Sequence, residues 1–152
     1  MKKLSRRKFI QASVALGAGS VLLPENVLAQ GMILNVERES TVLKGKKVLY
    51  VYGGWDGHEP RQSVDIFVPW LRAEGAEVIV SDKLDTYADK ELMESLDLIV
   101  QVVTMAKITQ EQEKGLLEAV KAGCGFAGWH GGIGDSFREN TEYQFMVGGQ
   151  WV

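Results

Sequence analysis

The sequence predicts an α/β fold in which a parallel sheet carries helices on both faces. Short runs rich in β-branched and aromatic residues alternate with longer segments whose apolar residues recur every three or four positions. Glycines and helix-capping residues separate these runs. Strands and helices that alternate in this way are typical of right-handed βαβ crossovers around a parallel sheet.

The first strand is predicted over residues 46–52, which end at a pair of glycines. A helix follows, because apolar residues recur there at helical spacing. Pro69 lies inside this helix and predicts a kink or a displaced turn, and Gly75 is placed to end it in a left-handed conformation. The predicted helical face consists of Val64, Phe67 and Leu71 together with Ile66 and Trp70.

The second half of the chain repeats the alternation. Strands are predicted over residues 76–81, 97–103 and 125–129, with a short helix over 89–95 between the first two of these. A longer helix is predicted to open at Thr109 with a capping box and to close at Gly123. Its predicted buried face consists of Leu116, Leu117 and Val120.

Residues 1–29 have the three parts of a twin-arginine signal peptide. A basic start contains the paired Arg6 and Arg7, a short apolar run follows, and Ala29 completes a small-residue cleavage site. We therefore expect recognition by the twin-arginine export machinery, a periplasmic or secreted location, and no stable membrane insertion after cleavage. The alternative is a retained anchor, but the apolar run falls well short of the roughly 20 residues that a spanning helix needs.

Charge and cysteine content narrow the choice of partners. The whole chain has a formal net charge of −3, and residues 1–29 contain five Lys/Arg and one Glu, so the remainder is more acidic than the whole. An acidic domain without a basic stripe argues against nucleic acid and favours small, neutral ligands. Cys124 is the single cysteine, so no intramolecular disulfide can form. Residues 30–44 are predicted to be a lead-in segment.

The two histidines of the chain follow different predicted strands. His58 stands in the loop after the first strand with Asp56 and Glu59, and His130 follows the fourth strand with Asp135 nearby. If these strands are adjacent, the histidines could meet at the carboxyl edge of the sheet and act as acid and base. They could equally be hydrogen-bonded structural residues. No dedicated metal motif is present, so no cofactor is predicted, although a divalent metal remains an alternative.

Gly128, His130 and Gly132 form a Gly-x-His-x-Gly pattern, which has the form of a nucleophile elbow with histidine at its centre. Consecutive amides over residues 131–136, including those of Gly131 and Gly132, could cradle an oxyanion or a sugar hydroxyl, or could simply form a tight turn. Tryptophans near the same edge suit stacking on sugar rings, although each could instead pack the rim of the core. They are Trp55, Trp129 and Trp151.

From strand one to the chain end, the sequence resembles the ThuA, or trehalose-utilisation, family. The resemblance lies in Gly128-Trp129-His130-Gly131-Gly132-Ile133-Gly134-Asp135-Ser136-Phe137-Arg138, then Tyr143 and Gly148-Gly149-Gln150-Trp151. It implies a flavodoxin-like sheet of the class I glutamine amidotransferase type and a role in sugar utilisation, often beside oxidoreductases that work on keto-sugars. Glutaminase chemistry is not expected, because those enzymes place cysteine where this chain has His130.

These observations lead to one expected function with open alternatives. We expect an exported protein that acts on a sugar derivative, as a hydrolase or isomerase, through His130 and His58, with Asp56, Glu59 and Asp135 as orienting carboxylates and Arg138 as a ligand contact. The alternatives are a non-enzymatic sugar-binding or assembly module and a non-functional fragment. The domain is expected over residues 45–152 and to be incomplete at its C-terminus, and a homo-oligomer is left open.

Overall fold

The computed structural model describes residues 42–151. The predicted signal peptide and most of the lead-in segment lie outside these residues. The strands are β1 (Lys47–Gly54), β2 (Glu77–Ser81), β3 (Leu98–Thr104) and β4 (Gly125–Gly128), and the helices are α1 (Pro60–Ala73), α2 (Lys90–Glu94), α3 (Gln110–Ala122), α4 (Gly131–Gly134) and α5 (Thr141–Val147). Two 3₁₀ turns, Asp56–His58 and Leu84–Ala88, complete the order.

The four strands form one parallel sheet in the order β2-β1-β3-β4. This order is that of a flavodoxin-like sheet, and the predicted fold class is confirmed. β1 runs two residues beyond its predicted end, because Gly53 and Gly54 continue the pairing to β3 as far as Thr104. The long pairing of the two central strands brings the chain after β1 directly over the end of β3.

Alternate residues of the central strands supply two separate cores. Leu49 and Val51 of β1 face one side, where α2, α3 and α5 pack, and Val48 and Tyr50 face the other, where α1 packs. The prediction of helices on both faces is therefore confirmed. Among residues 42–151, no helix is long and apolar enough to cross a membrane.

The predicted helical face of α1 is partly wrong. Val64 and Leu71 are buried as expected, but Ile66 and Trp70 are exposed and Phe67 is about one-third exposed. Apolar residues lie on more than one side of this helix, and only the stripe that contains Val64, Val68 and Leu71 meets the sheet. Pro69 lies inside the helix on its exposed side, and Gly75 adopts the expected positive φ.

The predicted caps of α3 are confirmed, and α2 also begins at a capping residue. The Asp89 carboxylate accepts a hydrogen bond from the Leu92 amide at the start of α2. Thr109 and Gln112 form both hydrogen bonds of a capping box at the start of α3, and Gly123 ends that helix with a φ of 111°. These local signals set where α2 and α3 begin and where α3 ends.

A buried amide in the middle of β3 connects the sheet to that segment. Gln101 is fully buried, and its Oε1 accepts a hydrogen bond from the Tyr87 hydroxyl at 2.8 Å. Its Nε2 donates to Ser136 Oγ at 2.9 Å and to the Tyr143 hydroxyl oxygen at 2.7 Å. Ser136 and Tyr143 in turn donate to the carbonyls of Gly132 and Ile133. The network therefore holds the chain after β4 on the end of β3.

Replacement of Gln101 by leucine should lower the free energy of unfolding by about 3 kcal/mol, because buried hydroxyl groups lose their partners. Urea denaturation measures the loss. Gln62→Leu, on the exposed side of α1, is the matched control and should change stability by less than about 0.5 kcal/mol. Adding Tyr87→Phe to the Gln101 variant should recover part of the loss, because one unpaired hydroxyl is then removed. Equal stability of wild type and Gln101→Leu would contradict the role given to this network.

Candidate active site

The candidate site lies at the carboxyl edge of the sheet, where ligands bind in parallel α/β folds. His58 follows β1 and His130 follows β4, and their ring centroids lie 4.8 Å apart with the ring planes at 74°. The sequence predicts that the histidines meet if β1 and β4 are adjacent strands. These strands are not adjacent, because β3 lies between them. The histidines meet nevertheless, because the loops after β1 and β4 both fold over the end of β3.

His58 ends the 3₁₀ turn Asp56–His58 and is held by β3. Its Nδ1 lies 2.9 Å from Thr104 Oγ1, and the Trp55 amide donates to the Thr104 carbonyl at 3.0 Å. A Cβ atom at Gly131 would collide with the His58 ring and would lie 3.2 Å from Thr104 Cγ2. Glycine is therefore required at position 131 for the two loops to approach each other as they do.

His130 has the strained backbone of an elbow. Its φ of 49° and ψ of −137° lie outside the regions that non-glycine residues usually adopt. A Cβ at Gly128 would lie 2.5 Å from the Gln101 carbonyl oxygen, and one at Gly132 would lie 2.9 Å from Val102 Cα. The glycines on both sides thus allow the elbow to sit directly on β3. The strained conformation presents the imidazole at the edge of the sheet.

Aromatic rings continue the pair of histidines in both directions. The Trp55 ring centroid lies 4.7 Å from that of His58, and the Trp151 ring centroid lies 5.5 Å from that of His130. Both tryptophans are more than half exposed. The Trp151 amide donates to the Gly134 carbonyl at 2.8 Å, which fixes its backbone beside the elbow. We call Trp55, His58, His130 and Trp151 the aromatic row. Trp129 packs instead against Phe67 of α1.

Asp135 and Arg138 form an ion pair beside the histidines. The carboxylate is only 4% exposed and accepts two hydrogen bonds from the guanidinium, one from Nε and one from Nη2 at 2.9 Å. The hydrogen bonds from Arg138 hold the pKa of Asp135 below its ordinary value, against the opposing effect of burial. Positive charge on His58 or His130 would lower it further. A negative charge is thus kept next to the two imidazoles.

The structure does not bring every predicted residue into contact with the histidines. Asp56 and Glu59 are exposed, and within residues 42–151 neither carboxylate makes a hydrogen bond or ion pair. Glu59 has a left-handed backbone and begins α1, with its carbonyl accepting from the Ser63 amide. Both residues lie on the rim of the site.

The predicted amide cradle is a tight turn. The amides of residues 132–135 donate to the carbonyls of Trp129, His130 and Gly131, so they are used within α4. Gly131 and Gly132 are buried and serve close packing against His58 and β3. Within the described part of the chain, no group of three or more histidine, cysteine, aspartate or glutamate side chains is arranged to hold a metal ion.

Sequence reasoning missed Thr104 and Gln101. Thr104 is the last residue of β3 and is 1% exposed, yet its hydroxyl is the one hydrogen-bonding partner that the His58 imidazole has among residues 42–151. The rule that ligands bind at the carboxyl ends of the strands directs attention to the loops after strands one, three and four, and so includes the end of β3. The polar residue Thr104 could therefore have been selected from the sequence as a candidate. Its hydrogen bond with His58 could not have been predicted.

A cavity of about 780 Å³ lies at the opposite, amino-terminal edge of the sheet. It is bounded by α2 and α3 and includes Cys124 but neither histidine. Burial raises the pKa of the half-buried Cys124 thiol, which packs against the core. Both histidines lie at the carboxyl edge, so the site is placed there on chemistry and not on cavity size.

The family model described as ThuA, trehalose utilisation, matches residues 47–152, well over half of the chain. The chain belongs to the ThuA family. A crystal structure described as a ThuA-like protein from Bacteroides uniformis is similar in fold, with a TM-score of 0.53 and 15% sequence identity. The match covers 67% of this chain and 41% of that one. No curated protein matches the sequence.

We expect the ion pair between Asp135 and Arg138 to make stability depend on pH. Because the folded-state pKa of Asp135 is lowered, the stabilisation is complete above the ordinary carboxyl pKa of about 3.9 and is lost as pH falls through the folded-state value. Arg138→Leu should therefore be less stable than wild type at neutral pH, and the difference should shrink in acid. Urea denaturation across this pH range measures it.

Arg61→Leu is the control for this experiment, because the pair of Arg61 with Asp65 is exposed on both sides and such pairs contribute little. It should show a small effect at every pH. An Arg138→Leu deficit that stays constant from neutral pH into acid would show that the arginine stabilises by packing and not by its charge.

Proposed function

We propose that this ThuA family member acts on a sugar or sugar derivative at the carboxyl edge of its sheet, with His58 and His130 as the acid/base pair. The observation that carries the proposal is the aromatic row, in which two imidazoles lie side by side between two exposed tryptophans. Family membership supports a role in sugar utilisation. The reaction class that fits these groups is proton transfer at a sugar oxygen or an adjacent carbon, as in a hydrolase or isomerase.

The chemical fit of the row to a sugar has two parts. Indole rings offer flat apolar faces that suit the apolar face of a pyranose, and Trp55 and Trp151 are exposed at the two ends. Imidazole exchanges protons near neutral pH and can both donate to and accept from hydroxyl groups. A ring held over the row would therefore place its hydroxyl groups near both histidines.

The surrounding groups are assigned supporting roles. Asp135 supplies negative charge beside the imidazoles and is itself fixed by Arg138, so it stabilises whichever histidine becomes positively charged during proton transfer. Asp56 and Glu59 stand at the rim, where they can contact sugar hydroxyl groups. Gly131 and Gly132 act through close packing that shapes the site.

A binding module without turnover is the second candidate. One observation favours it: among the described residues no carboxylate hydrogen-bonds to either imidazole, and the partner of His58 is the hydroxyl of Thr104. Catalytic histidines are commonly oriented by a carboxylate. Isothermal calorimetry together with product analysis separates the candidates, because a binding module would bind the sugar and release it unchanged.

Full-length protein incubated with trehalose and with keto-disaccharides should form product. His58→Gln and His130→Gln should each lower kcat/KM by about 10²-fold to 10⁴-fold, the usual contribution of a general acid or base. Chromatographic quantification of the released sugar measures this. Trp55→Ala should raise KM, whereas Trp70→Ala, an exposed tryptophan on the outer side of α1, is the matched control and should leave KM unchanged.

Unchanged turnover in both histidine variants would reject the acid/base assignment. Binding of an unaltered sugar by wild type over long incubation would favour the binding module. Loss of turnover in the presence of a chelator would replace the metal-free version of the proposal with a metal-dependent one.

We also propose export by the twin-arginine route, supported by Arg6, Arg7, the apolar run and Ala29 in the sequence. In a bacterial host, wild type should appear in the periplasmic fraction with Gln30 as its first residue. Replacing both arginines by lysine should keep the uncleaved chain in the cytoplasm, because the twin arginines are the feature that the export machinery reads. Cell fractionation with N-terminal sequencing tests this, and processed periplasmic protein from the lysine variant would contradict it.

A further inference from the structure

Thr104 lies between the two loops that carry the histidines. Its carbonyl accepts from the Trp55 amide, its Oγ1 lies 2.9 Å from His58 Nδ1, and its Cγ2 lies next to Gly131. The side chain is almost completely buried. The Thr104 hydroxyl therefore needs a hydrogen-bond acceptor within the protein.

The direction of the hydrogen bond between Thr104 and His58 decides which nitrogen of the imidazole carries a proton. If Nδ1 were protonated, it would donate to Oγ1, and the Thr104 hydroxyl proton would need another acceptor. Within residues 42–151 the hydroxyl has His58 Nδ1 as its hydrogen-bonding partner and no second one. A buried hydroxyl proton without an acceptor costs about 1–3 kcal/mol. The arrangement that avoids this cost has the hydroxyl donating to an unprotonated Nδ1.

We infer that Thr104 is a positioning residue that donates to His58 Nδ1 and holds neutral His58 in the tautomer with its proton on Nε2. His58 then presents an N–H donor to the site. The catalytic significance of this inference rests on the proposed function. In that function, the Nε2–H group of His58 would hydrogen-bond to a sugar oxygen and supply a proton to it.

The inference gives the two histidines different tasks. Neither His58 Nε2 nor the His130 ring makes a hydrogen bond with a described side chain, so both are free for a ligand. With His58 held as donor, His130 is the group left to accept a proton. Gly131 contributes by allowing the His58 ring to approach closely enough to meet Thr104.

The tautomer can be read directly by NMR, without any substrate. The sequence contains two histidines, so the imidazole region of a long-range ¹H–¹⁵N spectrum of the full-length labelled protein shows two ring systems. His130→Gln assigns them. The spectrum is recorded about two pH units above the ordinary imidazole pKa of about 6.5, so that signals of the neutral tautomers are sought.

Wild type is expected to show His58 with a protonated Nε2 and an unprotonated Nδ1, and Thr104→Ser should preserve this pattern because it keeps the hydroxyl. Thr104→Val should lose the single tautomer and give a mixture. Thr86→Val is the matched control: Thr86 also makes one side-chain hydrogen bond, to the Lys83 carbonyl, and its replacement should leave the His58 pattern unchanged.

A wild-type spectrum with the proton of His58 on Nδ1 would overturn the inference, and so would a Thr104→Val variant that keeps the wild-type pattern. Should Thr104→Val fail to fold, the wild-type and Thr104→Ser spectra still decide the tautomer. The test is independent of the proposed function. Full turnover in the histidine variants would reject that function and leave the tautomer standing, whereas a proton on Nδ1 would reject the inference alone.

Discussion

The hydrogen bonds of Gln101 tie the chain after β4 to the sheet. Gln101 is fully buried in the middle of β3, where a polar group without partners would be costly. Its polar groups are all satisfied by Tyr87, Ser136 and Tyr143. The hydroxyl groups of Ser136 and Tyr143 also donate hydrogen bonds to carbonyls of the turn around α4. The turn therefore has one favourable position on the sheet, and the elbow at His130 follows from it.

Close packing over the end of β3 then brings the two histidines together. The segment after β1 is held through the Thr104 carbonyl and hydroxyl, and the segment after β4 is held through the Gln101 network. Glycines stand where the chain comes nearest to the backbone of β3, at positions 54 and 132, and where it comes nearest to the His58 ring, at position 131. The strained φ of His130 is one cost of this arrangement, and the surrounding hydrogen bonds offset it.

The negative charge of the site depends on the ion pair between Asp135 and Arg138. Asp135 is removed from water but remains charged, because Arg138 supplies two hydrogen bonds and a positive charge. The amides of Met105 and Ala106 donate to the carbonyls of Asp135 and Ser136, which fixes the acidic residue against the chain that leaves β3. Asp135 therefore places a fixed negative charge beside the two imidazoles.

The sequence alone determined the α/β alternation, the caps at Thr109 and Gly123 and the family, since these depend on periodicity and on residues near one another in the chain. The sequence also identified His58 and His130 as candidate site residues, but it did not show that β3 lies between the strands that precede them. The sheet order, the partnership of Thr104 with His58, the buried network of Gln101 and the exposure of Ile66 and Trp70 on α1 depended on tertiary structure. The physical reason is that each of these results from pairing and packing between segments far apart in the chain, which local patterns of hydrophobicity and capping do not encode.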